Sequence, residues 1–231
     1  MSPNEFVRQA DLLMPEETAH KDVRLVGIGS LGGAILLALC KMGCGIHNRI
    51  TISDFDRCEA HNLPTQWIRR SHVALRRPKV EAVAEVAELV CEREVVTSQE
   101  RFTGAEAGRI GPVLILAVDS IEERTSIWSN IKNRGDVEIL IDARMGGEIV
   151  EVHSVLLGRD DRAFYEATLH DPADVFPDPC TGRSIVYTAF GAAAFVASIY
   201  RSWVRGAPFP RSLAFDFGRF FVETSARPEP S

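Results

Sequence analysis

Residues 26–33 read VGIGSLGG, a glycine-rich turn between an apolar strand and an apolar helix. Its glycines Gly27, Gly29 and Gly32 have the GxGxxG spacing with which a strand-to-helix turn cradles a phosphate group. Backbone N–H groups and the positive end of the helix dipole face the anion at such a turn. The same glycines could serve only to close a tight turn, so the prediction depends on the residues after the motif.

Polar side chains come after the glycine turn in an ordered series. The series is Asp54, Asp56, Asn62, Gln66, Lys79, Asp119 and Arg124. Asp54 and Asp119 each follow a predicted strand, so both are expected at the carboxyl edge of a parallel sheet, where such sheets bind ligands. A dehydrogenase needs little beyond the turn and one acid for the ribose. This chain adds a lysine, carboxylates and amides, which suit a triphosphate and its metal ion. Asp119 has a simpler alternative role as the N-cap of the next helix, a role that Ser120 could equally fill.

Composition narrows the classes of function. The chain has 231 residues, a formal net charge of −6 and a sequence pI of about 5.6, which argues against a nucleic-acid-binding surface. No charged-then-apolar leader opens the chain, so a cytoplasmic location is expected. The five cysteines include no Cys-x-x-Cys pair and the six histidines are scattered. A disulfide framework or a zinc site is therefore not expected.

Apolar runs and helical periods alternate along the chain. Strands are predicted at 23–28, 49–53, 112–118, 138–141 and 148–157, and helices at 31–42, 79–90 and 122–132. This alternation predicts an α/β fold, a Rossmann-like, mostly parallel sheet with flanking helices and an antiparallel extension. The predicted organisation is an N-terminal arm (1–21) with a short helix around 5–13, one domain (22–223) with a long loop at about 160–183, and a frayed tail (224–231).

Residues 184–200 form a second apolar stretch, rich in alanine. A membrane span is the competing interpretation, but the run is short and is interrupted by serine, threonine and glycine. We predict a buried helix packed on the sheet and no membrane partner.

The ordered series resembles the ubiquitin-activating and ThiF/MoeB superfamily of adenylating enzymes, over residues 8–203. Members of that superfamily carry an Arg-Gln pair near the start, a glycine loop, Asp-x-Asp, Asn-Leu-x-Arg-Gln, a lysine that opens a helix and a strand that ends in aspartate. The matching positions here are Arg8-Gln9, residues 27–32, Asp54 to Asp56, Asn62 to Gln66, Lys79 and Asp119. Thr65 departs from the pattern because it replaces the usual arginine. Arg70 matches a further arginine that many members carry after the glutamine, and Arg69 lies beside it, so either one is expected to substitute.

The resemblance implies ATP and Mg²⁺ as cofactors and gives each site residue a role. Asp54 accepts the ribose hydroxyls, and Asp119 holds the magnesium ion. Lys79 supplies a cation beside the phosphates, and Arg8 another as an arginine finger from the partner of a homodimer. The remaining nucleotide-binding positions that it implies are Asp56, Asn62, Gln66 and Arg70, with the glycines Gly27, Gly29 and Gly32.

Cys180 is the candidate nucleophile. It precedes the apolar helix, where the helix dipole and Arg183 both favour the thiolate. Superfamily members that form thioesters carry a similar Cys-Thr pair in a loop that crosses over the nucleotide site. The alternative is an inert loop cysteine. Cys58 is a weaker candidate.

We therefore hypothesise an enzyme that adenylates the C-terminal glycine of a ubiquitin-like protein, captures it on Cys180 as a thioester and passes it to a conjugating enzyme. Residues 142–147, DARMGG, resemble stand-alone bacterial members, including those of ubiquitin-like antiviral operons. Three alternatives stay open: a sulfur-carrier adenylyltransferase without a thioester step, an NAD-dependent oxidoreductase, and a non-catalytic subunit of a heterodimeric activating enzyme.

Overall fold

A single eight-stranded sheet organises the protein. The computed structural model describes residues 5–158, 161–169 and 185–227. The strands are β1 (Val23–Val26), β2 (Ile50–Ser53), β3 (Val96–Ser98), β4 (Val113–Leu116), β5 (Ile139–Gly146), β6 (Ile149–Leu156), β7 (Ser212–Asp216) and β8 (Phe221–Ser225). The helices are α1 (Ser30–Lys41), α2 (Arg70–Ala74), α3 (Lys79–Cys91), α4 (Ile121–Ile131), α5 (Arg162–Glu166) and α6 (Val186–Val204). The strand order is β3-β2-β1-β4-β5-β6-β7-β8.

The first five strands form a parallel half-sheet with β1 at its centre. β1 pairs with β2 on one side and β4 on the other, and every pairing from β3 to β5 is parallel. Parallel strands need crossover helices that cover both faces, which explains why all four residues of β4 are buried. The predicted Rossmann-like α/β fold is confirmed. Because these strands are parallel neighbours, the carboxyl ends of β1, β2 and β4 lie side by side.

The antiparallel extension begins at the β5–β6 hairpin and continues through β7 and β8. Gly147 turns the hairpin with a φ of 59°, a conformation that glycine adopts at little cost. The predicted extension is confirmed, and β8 adds a correction to the predicted tail. Thr224 and Ser225 pair with Leu213 and Ser212, so regular structure continues past residue 224.

Helices cover the sheet on both faces. α1, α3 and α6 pack on one face, and α4 with α5 on the other. The predicted apolar helix is α6, whose small buried residues Ala189, Ala192 and Ala193 let it lie close to α1. Within the ranges that the structure describes, no helix is long and apolar enough to cross a membrane.

The N-terminal arm differs from the prediction. Instead of one helix over 5–13, it forms two 3-10 turns, Val7–Gln9 and Pro15–Thr18. Pro15 disfavours helical backbone at the preceding residue, and Asp11 has a φ of 67°. The Gln9 amide donates hydrogen bonds to the carbonyl oxygens of Leu13 (3.0 Å) and Met42 (2.9 Å), so the arm is tied to the end of α1.

Candidate active site

Gly27 and Gly32 must be glycine because other backbone atoms lie too close for a side chain at either position. Gly27 has a φ of 86°, and a Cβ added there would lie 2.6 Å from the carbonyl oxygen of Ala117. A Cβ added to Gly32 would lie 1.8 Å from the carbonyl oxygen of Gly27. The turn therefore interlocks with itself and with the end of β4, and no larger side chain fits at either position.

Gly29 is different because space is open in front of it. It is the N-cap of α1, has no side chain to cap the helix, and a Cβ added there would meet only the amide nitrogen of Gln66 at 3.8 Å. The buried Ser30 Oγ and Gln66 Oε1 have no hydrogen-bond partner. Buried polar atoms normally have partners, and the N-terminus of a helix favours an anion. This part of the turn therefore fits a phosphate-bearing ligand.

Asp54 joins the ends of β1 and β2. Its Oδ2 accepts a hydrogen bond from the backbone N–H of Ile28 at 2.7 Å, and its Oδ1 accepts one from that of Asp56 at 2.8 Å. Burial raises the pKa of Asp54, while these two bonds and the charge of Lys79 act in the opposite direction. Each oxygen keeps a further lone pair, so the carboxylate is able to accept ribose hydroxyls where it stands.

Lys79 is a nearly buried cation at the first position of α3. Its side chain is 10% exposed, and Nζ lies 2.7 Å from Oδ2 of Asp56, whose side chain is 49% exposed. The backbone N–H of Lys79 also donates to the carbonyl oxygen of Asp56 at 2.9 Å. A helix N-terminus disfavours a positive charge, so this position is not explained by helix stability. The structure brings Lys79, Asp54 and Asp56 together at the end of β2.

Asp119 is exposed just beyond the end of β4. The hydroxyl of Ser120 caps α4 by accepting from the backbone N–H of Glu123 at 3.2 Å, so Asp119 is not the cap. Burial raises the pKa of Glu123, and the charge of Arg101 opposes that shift. The charges of Asp119 and Asp54 both add to the rise. Asp54 and Asp119 are therefore both near enough to Glu123 for their charges to act on it.

The predicted amides and arginines between Asp56 and Lys79 differ in burial and in the groups that they contact. Asn62 is buried, and its Oδ1 accepts from the backbone N–H of Glu59 at 3.0 Å, which is a local turn contact. Arg69 contacts the buried His72 and the carboxylate of Glu85. Arg70 is exposed at the start of α2. Of the two arginines expected to replace the missing one, Arg69 is held by these contacts.

Arg124 has a structural position, contrary to its place in the predicted ATP series. Its guanidinium is buried and bonds Asp142 at 2.9 Å. It also donates to the carbonyl oxygens of Val118 and Ser120. Arg124 thus fixes the segment that carries Asp119.

Comparison with known proteins identifies the relatives of this chain. The profile of the ThiF family matches residues 8–197. The chain belongs to the ThiF family. Membership confirms the resemblance found in the sequence and supports an ATP-binding enzyme of the adenylyltransferase type. No curated protein sequence matches this ThiF-family chain.

Solved structures similar to this ThiF-family chain share its fold at low sequence identity. E. coli MccB solved with ATP is 14% identical with a TM-score of 0.71, covering 97% of this chain and 72% of MccB. MccB solved with MccA is 14% identical with a TM-score of 0.73, covering 100% and 73%. PaaA is 19% identical with a TM-score of 0.68, covering 98% and 84%.

The two remaining predicted residues of the ThiF-family site are Arg8 and Cys180. Arg8 is exposed in the first 3-10 turn of the arm, apart from the glycine turn. Cys180 lies outside the described residues. The weaker candidate, Cys58, is 1% exposed, and burial raises the pKa of its thiol, which argues against it as a nucleophile.

The predicted magnesium ion would need ligands from the nucleotide and from water besides Asp119. In the three described ranges, no group of three or more His, Cys, Asp or Glu side chains is arranged to hold a metal ion. A magnesium ion at Asp119 would therefore take phosphate oxygens and water as its other ligands, which is its usual preference.

Sequence reasoning misses several residues around the glycine turn and Asp54. Ser30 was visible as a polar residue opening an apolar helix, but its lack of a partner is a structural fact. Arg101 contacts the ring of Phe55 and pairs with Glu123. These three residues belong to separate segments, so their spacing in the sequence does not predict the contacts.

Proposed function

We propose that this protein is a cytoplasmic, homodimeric adenylyltransferase that uses ATP and Mg²⁺ to activate the C-terminal glycine of a ubiquitin-like protein. We further propose that Cys180 then takes the acyl group as a thioester and passes it to a conjugating enzyme. The observation that carries the adenylation step is the nearly buried Lys79, held beside Asp54 and Asp56 next to a glycine turn with unsatisfied polar atoms.

The proposed reaction joins two anions, so the site has to neutralise charge. A carboxylate oxygen of the substrate attacks the α-phosphorus of ATP, and the bond from that phosphorus to the bridging oxygen of pyrophosphate breaks. Lys79 offsets negative charge on the phosphates, and the α1 N-terminus receives a phosphate oxygen. Mg²⁺ bound at Asp119 would offset charge on the departing pyrophosphate. When phosphate displaces the carboxylate of Asp56 from Lys79, one ion pair replaces another, so the cation is never left buried alone.

A polypeptide substrate is supported by exposed apolar side chains at the same edge of the sheet. Tyr187 and Phe190, at the start of α6, are 40% and 49% exposed, and Phe220 and Phe221, at the start of β8, are 83% and 60% exposed. The hydroxyl of Tyr187 donates to Glu148 in the β5–β6 turn, which places these elements together. Exposed apolar patches mark protein-binding surfaces. MccB, solved with ATP in one structure and with MccA in another, supports the same combination of ligands.

Pyrophosphate exchange into ATP, measured with a ubiquitin-like partner, tests the adenylation step. We expect Lys79→Gln to reduce exchange by about 100-fold or more, the effect of removing one preorganised electrostatic contact. Lys132→Gln is the matched control, because Lys132 pairs with Glu166 on the surface at 3.0 Å. Equal exchange in both variants would overturn the proposal. Absence of exchange in the wild type, with binding of the partner protein, would favour the non-catalytic subunit.

The thioester step has its own test. Protein, partner and ATP should give an adduct that a thiol reductant cleaves and that is absent in Cys180→Ala. The matched control is Cys58→Ala, which should form the adduct normally. Adenylate formation without any such adduct would favour the sulfur-carrier alternative.

A further inference from the structure

The guanidinium of Arg101 lies over the ring of Phe55 at the rim of the proposed nucleotide site. Its guanidinium carbon is 3.9 Å from the centre of the Phe55 ring. The side chain of Arg101 is 56% exposed and Phe55 is 42% exposed, so the stacked pair faces solvent. Three segments meet here, because Phe55 follows β2, Arg101 lies between β3 and β4, and the third partner is on α4.

Glu123 binds one end of the guanidinium. Its Oε1 lies 3.0 Å from NH1 of Arg101, and its own side chain is only 13% exposed. The backbone N–H of Glu123 bonds the capping Ser120, so the carboxylate projects from a rigid first turn. An arginine with one face on a ring and one edge on a carboxylate has its second face free for stacking.

The position of the pair points to the ligand group that it would contact. Phe55 is the residue next to Asp54, the proposed ribose acceptor, and it follows β2, while Arg101 and Glu123 come after the carboxyl ends of the parallel strands β3 and β4. A nucleobase is joined directly to its ribose, so it has to lie within a few ångströms of the carboxylate that accepts the ribose hydroxyls. Arg101 contacts Phe55, the residue adjacent to Asp54, so its exposed guanidinium offers a planar surface beside the proposed ribose position.

We propose that Arg101, held by Phe55 and Glu123, is the stacking surface for the purine base of the nucleotide. This inference rests on the proposed adenylation function and adds the residue that recognises the base. Base stacking on an aromatic or guanidinium plane is strong enough to matter, because removal of one such contact weakens binding by about ten-fold or more.

Binding measurements by calorimetry separate the base from the phosphates. ATP and inorganic tripolyphosphate are compared, since the second has the phosphate chain but no base. We expect Arg101→Ala to weaken ATP binding by about ten-fold and to leave tripolyphosphate binding unchanged. Arg101→Lys keeps a positive charge for Glu123 but has no planar group, so it should also lose ATP affinity. Arg109→Ala, at an exposed arginine, is the matched control.

Each other outcome overturns the inference in a recognisable way. Equal weakening of both ligands would make Arg101 a phosphate contact, and no weakening would make the stack an ordinary surface contact. Thermal unfolding of each variant shows whether a loss of binding comes from a loss of structure, and Phe55→Leu provides a second route to the same loss of ATP affinity. Failure of the wild type to bind ATP would instead overturn the proposed function itself.

Discussion

Removal of the Asp142 carboxylate should destabilise the whole fold. Asp142 is fully buried on β5, and its two oxygens are shared by Arg124, Arg144 and the hydroxyl of Tyr165 at 2.8 to 3.0 Å. Burial alone raises the pKa of Asp142, but the charges of Arg124 and Arg144 outweigh that effect and hold the pKa well below its usual range. The carboxylate is therefore ionised at neutral pH.

The magnitude can be worked out from the two arginines that would stay behind. In Asp142→Ala their guanidiniums keep carbonyl partners at Ala143 and Thr168 but lose their only buried counter-charge among the described residues. Breaking a buried pair by removing one partner costs about 3–5 kcal/mol. A chain of this size loses ~2–4 °C in Tm per kcal/mol, so the expected fall in Tm is about 6–20 °C.

Urea unfolding followed by circular dichroism at pH 7 measures the change directly. Asp142→Asn keeps one acceptor and the shape, and it should fall between the wild type and Asp142→Ala. Glu138→Ala is the matched control, because its pair with Lys21 is long (3.5 Å) and on the surface, and exposed pairs contribute below about 1 kcal/mol. A loss below about 1 kcal/mol in Asp142→Ala, or equal losses in both variants, would refute the reasoning.

Three further predictions concern single positions. Gly32→Ala should fail to fold, because its Cβ would lie 1.8 Å from a backbone oxygen, whereas Gly29→Ala should keep the wild-type Tm and lose ATP affinity in calorimetry, because its Cβ enters the open space of the turn. A side-chain hydrogen bond from Arg134 lowers the pKa of Asp136 to about 2, so this group contributes stability above the ordinary carboxyl pKa and loses it as pH falls through 2. The difference in unfolding free energy between the wild type and Asp136→Asn should therefore shrink between pH 4 and pH 2. Phe221→Asp should weaken binding of the ubiquitin-like partner, measured by interferometry, and leave ATP affinity unchanged, since Phe221 is exposed on the extension.

The parallel half of the fold is readable from sequence because its strands are short, apolar and buried. β1, β2 and β4 each lead to a glycine or an acid that marks the carboxyl edge. β3 escaped prediction since its three residues are partly or wholly exposed. β7 and β8 escaped for the same reason, as no residue in either strand is fully buried. Hydrophobic patterning detects burial, and these strands are defined by backbone pairing instead.

The site residues also differ in how well sequence predicts them. The positions of Lys79, Asp54 and Asp119 follow from sequence because each stands near the end of a strand or at the start of a helix, and their roles at the site stay predictions. The sequence does not reveal that Arg124 pairs with Asp142, because Asp142 is 18 residues away on β5. Contacts at such separation depend on the tertiary fold, and residue spacing does not encode them.

The two roles of the Asp54 carboxylate cannot be separated by mutation. One carboxylate ties the amide of Ile28 to the end of β2 and is also the proposed acceptor for sugar hydroxyls. Recognition of the sugar and the shape of the glycine turn are thus inherited together. Alanine at this position would erase both properties in one step, whereas asparagine, with its single acceptor oxygen, would force the two amides and the sugar to compete for it.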